Sequence, residues 1–178
     1  MSREVNPVSV FPVLKRLMRP VQSKHMKKQL LSVLFLVLSA PPSGAENNAS
    51  LAHYSPPLNA EFKALLKTAD AAAGEEYFMR KCSSCHDEFK SETHGKGPNL
   101  WNVLGRKAGS AEGFAYSDAM RQSGHTWSYA TLNYYLTNTE RAVPGRIMNF
   151  KGIRKDKDRA KLLLFLRAMN DTPPALPE

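Results

Sequence analysis

Apolar residues recur at helical spacing in several stretches of the chain. Phe62, Leu65 and Leu66 make a short stripe behind Asn59, whose side-chain oxygen suits a helix N-cap. Asp70 precedes the helix formers Ala71 to Ala73, and Gly74, Phe78 and Cys82 then fall four apart on one helical face. Ser117 starts a short helix around Asp118 to Gln122, and Ser128 caps a longer one carrying Leu132, Tyr135 and Leu136. Near the end, Leu162, Phe165, Leu166 and Met169 form a stripe on a helix predicted from an Asp156 cap to about Asn170, with Pro173 and Pro174 beyond it. Residues 90–113 and 139–152, rich in Gly and Pro, read as loops. No βαβ alternation and no repeat appears, so the pattern predicts an all-α domain with long loops. Gly74, lacking a side chain, is where the first and last helices of that domain are expected to cross.

The front of the chain follows a different pattern. Lys24, Lys27 and Lys28 precede an apolar run from Leu30 to Ala40, and the small residues Ser43, Gly44 and Ala45 follow. Positive, then apolar, then small is the order of a secretory signal peptide, and the run is short for a permanent span. Residues 1–45 are therefore expected to be an export signal cleaved near Ala45, with Met26 a possible true start and an uncleaved anchor the alternative. Asn47, Asn48, Ser50, Ser55, Pro56 and Pro57 then predict a linker, so residues 46–69 read as a linker with one short helix, or as a disordered tether. The main domain is expected over residues 70–171, with 172–178 a tail.

Charge changes this picture little. The chain carries 25 Lys and Arg against 16 Asp and Glu, but seven of the basic residues and one acidic residue lie in residues 1–45. The remaining 18 against 15 leaves a mildly basic domain, with no support for nucleic-acid binding.

The candidate chemistry sits at Cys82, Ser83, Ser84, Cys85 and His86, which include both cysteines of the chain. Two thiols separated by two residues and followed at once by an imidazole match the attachment motif of a c-type haem. Each thiol can add across one porphyrin vinyl group, and the histidine is placed to ligate the iron. A zinc site would need a second ligand pair from His53, His94 or His125, which lack the matching spacing. A thioredoxin-like dithiol wants a neighbouring βαβ pattern, and a disulfide across two helical residues is strained. One covalent haem c, held through Cys82 and Cys85, is the expected cofactor. Periplasmic export agrees with it, since the finished thioethers are indifferent to redox poise.

From Asp70 to Asn170 the chain resembles a class I cytochrome c of the mitochondrial and bacterial c2 kind. The matching residues are Gly74, Phe78, the Cys82 to His86 motif, Gly97 to Trp101, Gly105 to Gly109, Tyr116 to Ala119, Trp127, Tyr135, Pro144, Gly145, Met148, Phe150, Gly152, Leu162 and Phe165. The resemblance implies a single domain whose loops wrap the haem, with iron bound by His86 and Met148. It implies that the Pro98 carbonyl orients the His86 ring, and that a neutral thioether from Met148 favours ferrous iron. Arg106, Tyr116, Ser117 and Trp127 resemble the family's haem-propionate partners, Tyr135 the phenol that reaches the axial sulfur, and Phe150 the aromatic that shields the haem. Met79, Met120 and Met169 read as packing residues.

Departures from the family pattern concentrate near Met148. Arg146 stands for a threonine that commonly bonds a propionate, Thr139 and Ala142 for a proline and a tyrosine, and Met120 for an asparagine. The loop before Met148 is expected to have altered stability. Glu140 and Ile147 replace lysines of the docking ring, leaving Lys81, Lys96, Arg141, Arg154 and Lys155 as candidates. The resemblance implies a monomeric electron carrier, with no enzymatic activity and no small-molecule substrate. Its partners would be redox proteins such as a quinol–cytochrome c reductase, a terminal oxidase or a dehydrogenase. The alternative is a haem peroxidase or gas sensor in which Met148 leaves the iron.

Overall fold

The computed structural model describes residues 49–91 and 93–178; the signal-peptide reading of residues 1–45 lies outside them. Among the described residues six helices follow in order: α1 Ala60–Thr68, α2 Ala71–Lys81, α3 Asp118–Gln122, α4 Tyr129–Thr137, α5 Thr139–Ala142 and α6 Asp156–Ala168. No strand forms among the described residues beyond an isolated bridge between Lys107 and Thr126.

Side-chain caps set most of these starts, because the first amides of a helix lack intrahelical partners. Asn59 accepts from Phe62 N at 2.8 Å, Asp70 from Ala72 N at 2.9 Å and Ser117 from Met120 N at 3.3 Å. Ser128 and Thr131 cap α4 reciprocally. Two expectations are corrected. The cap of α6 is Lys155, without a side-chain bond, while Asp156 lies in the first turn and accepts from Arg159 Nη2 at 2.6 Å. Arg159 is only 4 % exposed, and a buried guanidinium draws in the nearest carboxylate. The loop expected over residues 139–152 opens on α5, because the Asn138 side chain accepts from Arg141 N at 3.0 Å and starts one helical turn.

α2 crosses α6 at Gly74. A Cβ there would stand 2.1 Å from the Lys161 carbonyl oxygen and 2.9 Å from Phe165 Cβ, so only glycine permits this approach. One turn on, Phe78 meets Phe165 with ring centroids 5.3 Å apart. α4 also packs on α6, which makes α6 the common floor of the core.

Residues 49–69, expected to be a linker with a short helix or a tether, lie against this core. α1 packs on α6 and buries Phe62 and Leu66 almost completely. Upstream, Leu51 N donates to the Ala142 carbonyl at 2.8 Å, Tyr134 Oη donates to the Ala49 carbonyl at 2.6 Å, and Tyr54 tilts on Tyr134 at 5.2 Å. Isolated loop formers such as Pro56 and Pro57 suggested a linker because their local preference does not reveal what the flanking Leu51 and Tyr54 will meet.

At the far end of α6, Asp171 accepts from Lys90 Nζ at 2.7 Å, Asn102 Nδ2 at 2.8 Å and Trp101 Nε1 at 3.2 Å. This ties the loop after the cysteine motif to the last helix. Asn102 adopts φ 57°, a left-handed conformation that asparagine tolerates. The bonds from Lys90, then Asn102, hold the Asp171 carboxyl down to about 2, although the group is solvent-exposed and screened.

Two outcomes follow for stability. Phe62→Ala should cost about 3–5 kcal/mol, read as a drop in the chemical-denaturation midpoint, whereas a detached tether would give no change. Because the Asp171 carboxyl titrates lower in the folded chain than its unfolded value of about 3.9, its contribution is present above about pH 4 and is lost as pH falls toward 2. Thermal melts of Asp171→Asn should therefore show lower stability at neutral pH and a shallower acid decline than the unmodified chain.

Candidate haem site

The cysteine motif caps the C-terminal end of α2. Cys82 N and Ser83 N both donate to the Phe78 carbonyl, at 2.7 and 3.1 Å, and Cys85 N and His86 N donate to the Cys82 carbonyl at 3.0 and 2.9 Å. These turns bring both sulfurs and the imidazole onto one short segment. Cys82 and Cys85 are half-buried thiols with no disulfide between them. Burial, then the neighbouring Cys85, pushes the Cys82 thiol up to about 11, which marks an apolar setting.

His86 is held in one tautomer. Its Nδ1 lies 2.8 Å from the Pro98 carbonyl oxygen, and since a carbonyl can only accept, Nδ1 carries the proton and Nε2 keeps its lone pair. Burial lowers the His86 pKa, the Pro98 carbonyl opposes that, and Arg106 lowers it further. The ring is therefore a neutral nitrogen donor. Gly97 makes the geometry possible: a Cβ there would stand 2.4 Å from His86 Cε1, and its amide donates to the Cys85 carbonyl at 2.7 Å.

Asn99 and His94, whose structural parts the sequence reading missed, brace this segment. Asn99 is 4 % exposed; its Oδ1 accepts from Trp101 N at 2.7 Å and its Nδ2 donates to the Phe89 carbonyl at 3.0 Å. His94 Nδ1 accepts from Asn99 N at 3.1 Å and its Nε2 donates to the Glu112 carbonyl at 2.7 Å. Both ring nitrogens are thereby engaged, which removes His94 from a zinc site. The placement of His94 and Asn99 in one Gly-rich stretch is the only sequence signal for this brace.

The remaining expected residues fall into two groups. Tyr135 is buried and donates to Met148 Sδ across 3.9 Å, while Trp127 tilts on the Tyr135 ring at 5.0 Å. Burial raises the Tyr135 pKa and Arg146 opposes it, so the phenol is a neutral donor. Met148 and Phe150 are half-buried against the core. In the second group, Arg106 donates to the Asn99 carbonyl at 2.9 Å and the Trp101 carbonyl at 3.2 Å. Its charge couples to Tyr116, whose ring stands edge-on to Phe114 at 4.8 Å. Trp127 N joins the two groups by donating to the Arg106 carbonyl at 2.9 Å. Ser117 Oγ accepts from Met120 N as the α3 cap, which leaves its own proton free to donate.

This donor set fits a c-type haem: two thiols beside a neutral imidazole, a thioether, an aromatic and aliphatic lining, and a guanidinium with the Tyr116 phenol nearby for carboxylates. Among the described residues no group of three or more His, Cys, Asp or Glu could hold a bare metal ion.

Comparison with known proteins points the same way. A family model described as cytochrome c matches residues 71–170. The chain is 43 % identical over 98 residues to a cytochrome c of Chlamydomonas reinhardtii, covering 55 % of this chain and 88 % of that protein. It is 46 % identical over 97 residues to a cytochrome c2 of Rhodomicrobium vannielii, covering 54 % and 77 %. Among solved structures it is similar to cytochrome cH from Methylobacterium extorquens, with a TM-score of 0.52 and 42 % identity over 56 % of this chain and 99 % of that one.

Gly97→Ala should drive a methyl group against the His86 ring, costing roughly 1–3 kcal/mol and lowering the yield of covalent haem. Haem stain and melting of the purified variant check this; wild-type yield together with wild-type melting would contradict it.

Proposed function

The chain belongs to the cytochrome c family, which carries one covalent c-type haem and transfers electrons, and from that premise we propose a single-electron carrier with iron bound by His86 and Met148. The observation that carries the reading is the Tyr135 phenol donating to Met148 Sδ, which holds a thioether ready as a ligand. The haem supplies the one-electron couple when bound. The chain supplies the rest: Nε2 of a ring oriented by Pro98, a soft neutral sulfur that favours the ferrous state, and Arg106, Tyr116, Ser117 and Trp127 as partners for the propionates. Phe150 and the buried aromatics keep water from the site. With His86 and Met148 as the residues that would hold the iron, no coordination site would be left for a substrate, and the protein would serve as a carrier and not as an enzyme.

The finer reading is a soluble, monomeric protein of the periplasm. Its support is the order of charges, apolar run and small residues up to Ala45, which is that of an export signal. Partners are redox proteins with acidic faces, of the quinol–cytochrome c reductase, terminal oxidase or dehydrogenase type. Lys81, Lys96, Arg154 and Lys155 are exposed to steer them. Arg141 contributes less, since its guanidinium lies 4.5 Å from the centre of the Tyr134 ring.

Carbon monoxide separates this reading from a peroxidase or gas sensor. The ferrous holoprotein should bind it slowly and weakly, and Met148→Ala should bind it at least about tenfold faster, the effect of removing one ligand worth 1.4 kcal/mol or more. Rapid, tight binding by the unmodified protein would overturn the carrier reading.

A further inference from the structure

The segment that carries Met148 leaves α5 and returns toward α6, and one side chain joins both of its ends. Arg146 is only 11 % exposed at its side chain. Its Nε donates to Thr139 Oγ1 at 2.6 Å, its Nη2 donates to the Phe150 carbonyl at 3.2 Å, and its Nη1 pairs with Glu140. Thr139, fully buried, completes the ring by donating its own hydroxyl proton to the Phe150 carbonyl. Residues 139 and 140 at the start of the segment are thus tied to residue 150 at its end, with Met148 inside the closed loop. The backbone adds two short links of its own, Arg146 N to the Val143 carbonyl at 3.2 Å and Phe150 N to the Met148 carbonyl at 3.0 Å.

Here the physics favours closure. A half-buried guanidinium with three acceptors at fixed angles loses them together when the loop opens, and each is a charge-assisted bond. The Thr139 hydroxyl is both donor and acceptor, so opening also strands it in an apolar site. The exposed Glu140 carboxylate matters less, because water replaces it readily.

Resting on the reading of Met148 as the sulfur ligand, we propose that Arg146 is a positioning residue that, through Thr139 and the Phe150 carbonyl, locks the 139–150 loop shut and keeps the sulfur on the iron. The altered loop stability expected from Thr139 and Arg146 acquires a direction: the loop opens more rarely than it would without them.

The test is the rate at which imidazole displaces the sulfur in the ferric holoprotein, read beside deuterium uptake by amides of residues 139–152. Arg146→Gln and Thr139→Val should each speed both by roughly tenfold to a hundredfold, the effect of losing hydrogen bonds to a charged group. Thr139→Ser should stay near wild type because it keeps the hydroxyl, and Arg146→Lys should fall between, since an ammonium cannot span the same fork of acceptors. The two faster variants combined should be well short of multiplicative, because they break one network. Should Arg146→Gln not fold, the contrast of Thr139→Val with Thr139→Ser still decides. Wild-type imidazole and deuterium rates in Thr139→Val and in any folded Arg146→Gln overturn the proposal. A ferric protein with no sulfur-to-iron absorption overturns instead the ligand reading on which it rests, and deuterium uptake shows separately whether the loop is locked.

Discussion

The hydrogen bond from His86 Nδ1 to the Pro98 carbonyl is the constraint around which the site is arranged. It decides which nitrogen bears the proton and therefore which nitrogen is available to a metal. Holding it requires three things of the surrounding chain. Gly97 must lack a side chain so that the segment can pass against the ring. Asn99, itself fixed by His94 and Phe89, must anchor the residues just after Pro98. Arg106 must bind the Asn99 and Trp101 carbonyls, so that the loop turns back toward the core.

That arrangement rests in turn on the crossing of α2 and α6. The cysteine motif extends from α2, and α2 is fixed by the contact at Gly74 and by Phe78 on Phe165. Asp171, just past α6, reaches the loop after the motif through Lys90, Trp101 and Asn102, so one helix steadies the imidazole segment at both ends. Residues 49–69 add a layer outside the region shared with the family. They cover α6 with Phe62 and Leu66 and meet α4 and α5, the elements from which the Met148 segment departs, through Tyr134 and Ala142.

Much of this was legible because short-range chemistry wrote it plainly. Four helices begin at the side-chain caps read from the sequence, the crossing glycine stands where helical spacing placed it, and the cysteine motif named the cofactor. What was not legible depends on residues distant along the chain. Asp156 looked like a cap because nothing local reveals that Arg159 is buried and needs a carboxylate. Residues 49–57 looked like a linker because their partners, Tyr134 and Ala142, lie some eighty to ninety positions away. Arg146 showed itself only as a departure from the family; its three acceptors come from both ends of a loop, and no spacing rule links Thr139 to Phe150.

On the proposed reading, the residues that would hold the haem iron are His86, through its imidazole nitrogen, and Met148, through its thioether sulfur. X-ray absorption at the iron edge of the purified holoprotein tests it most directly. The spectrum should contain a single sulfur bonded to iron, absent from Met148→Leu and retained in Met79→Leu and Met120→Leu. An iron surrounded only by nitrogen and oxygen, or a sulfur that survives loss of Met148, would contradict the account.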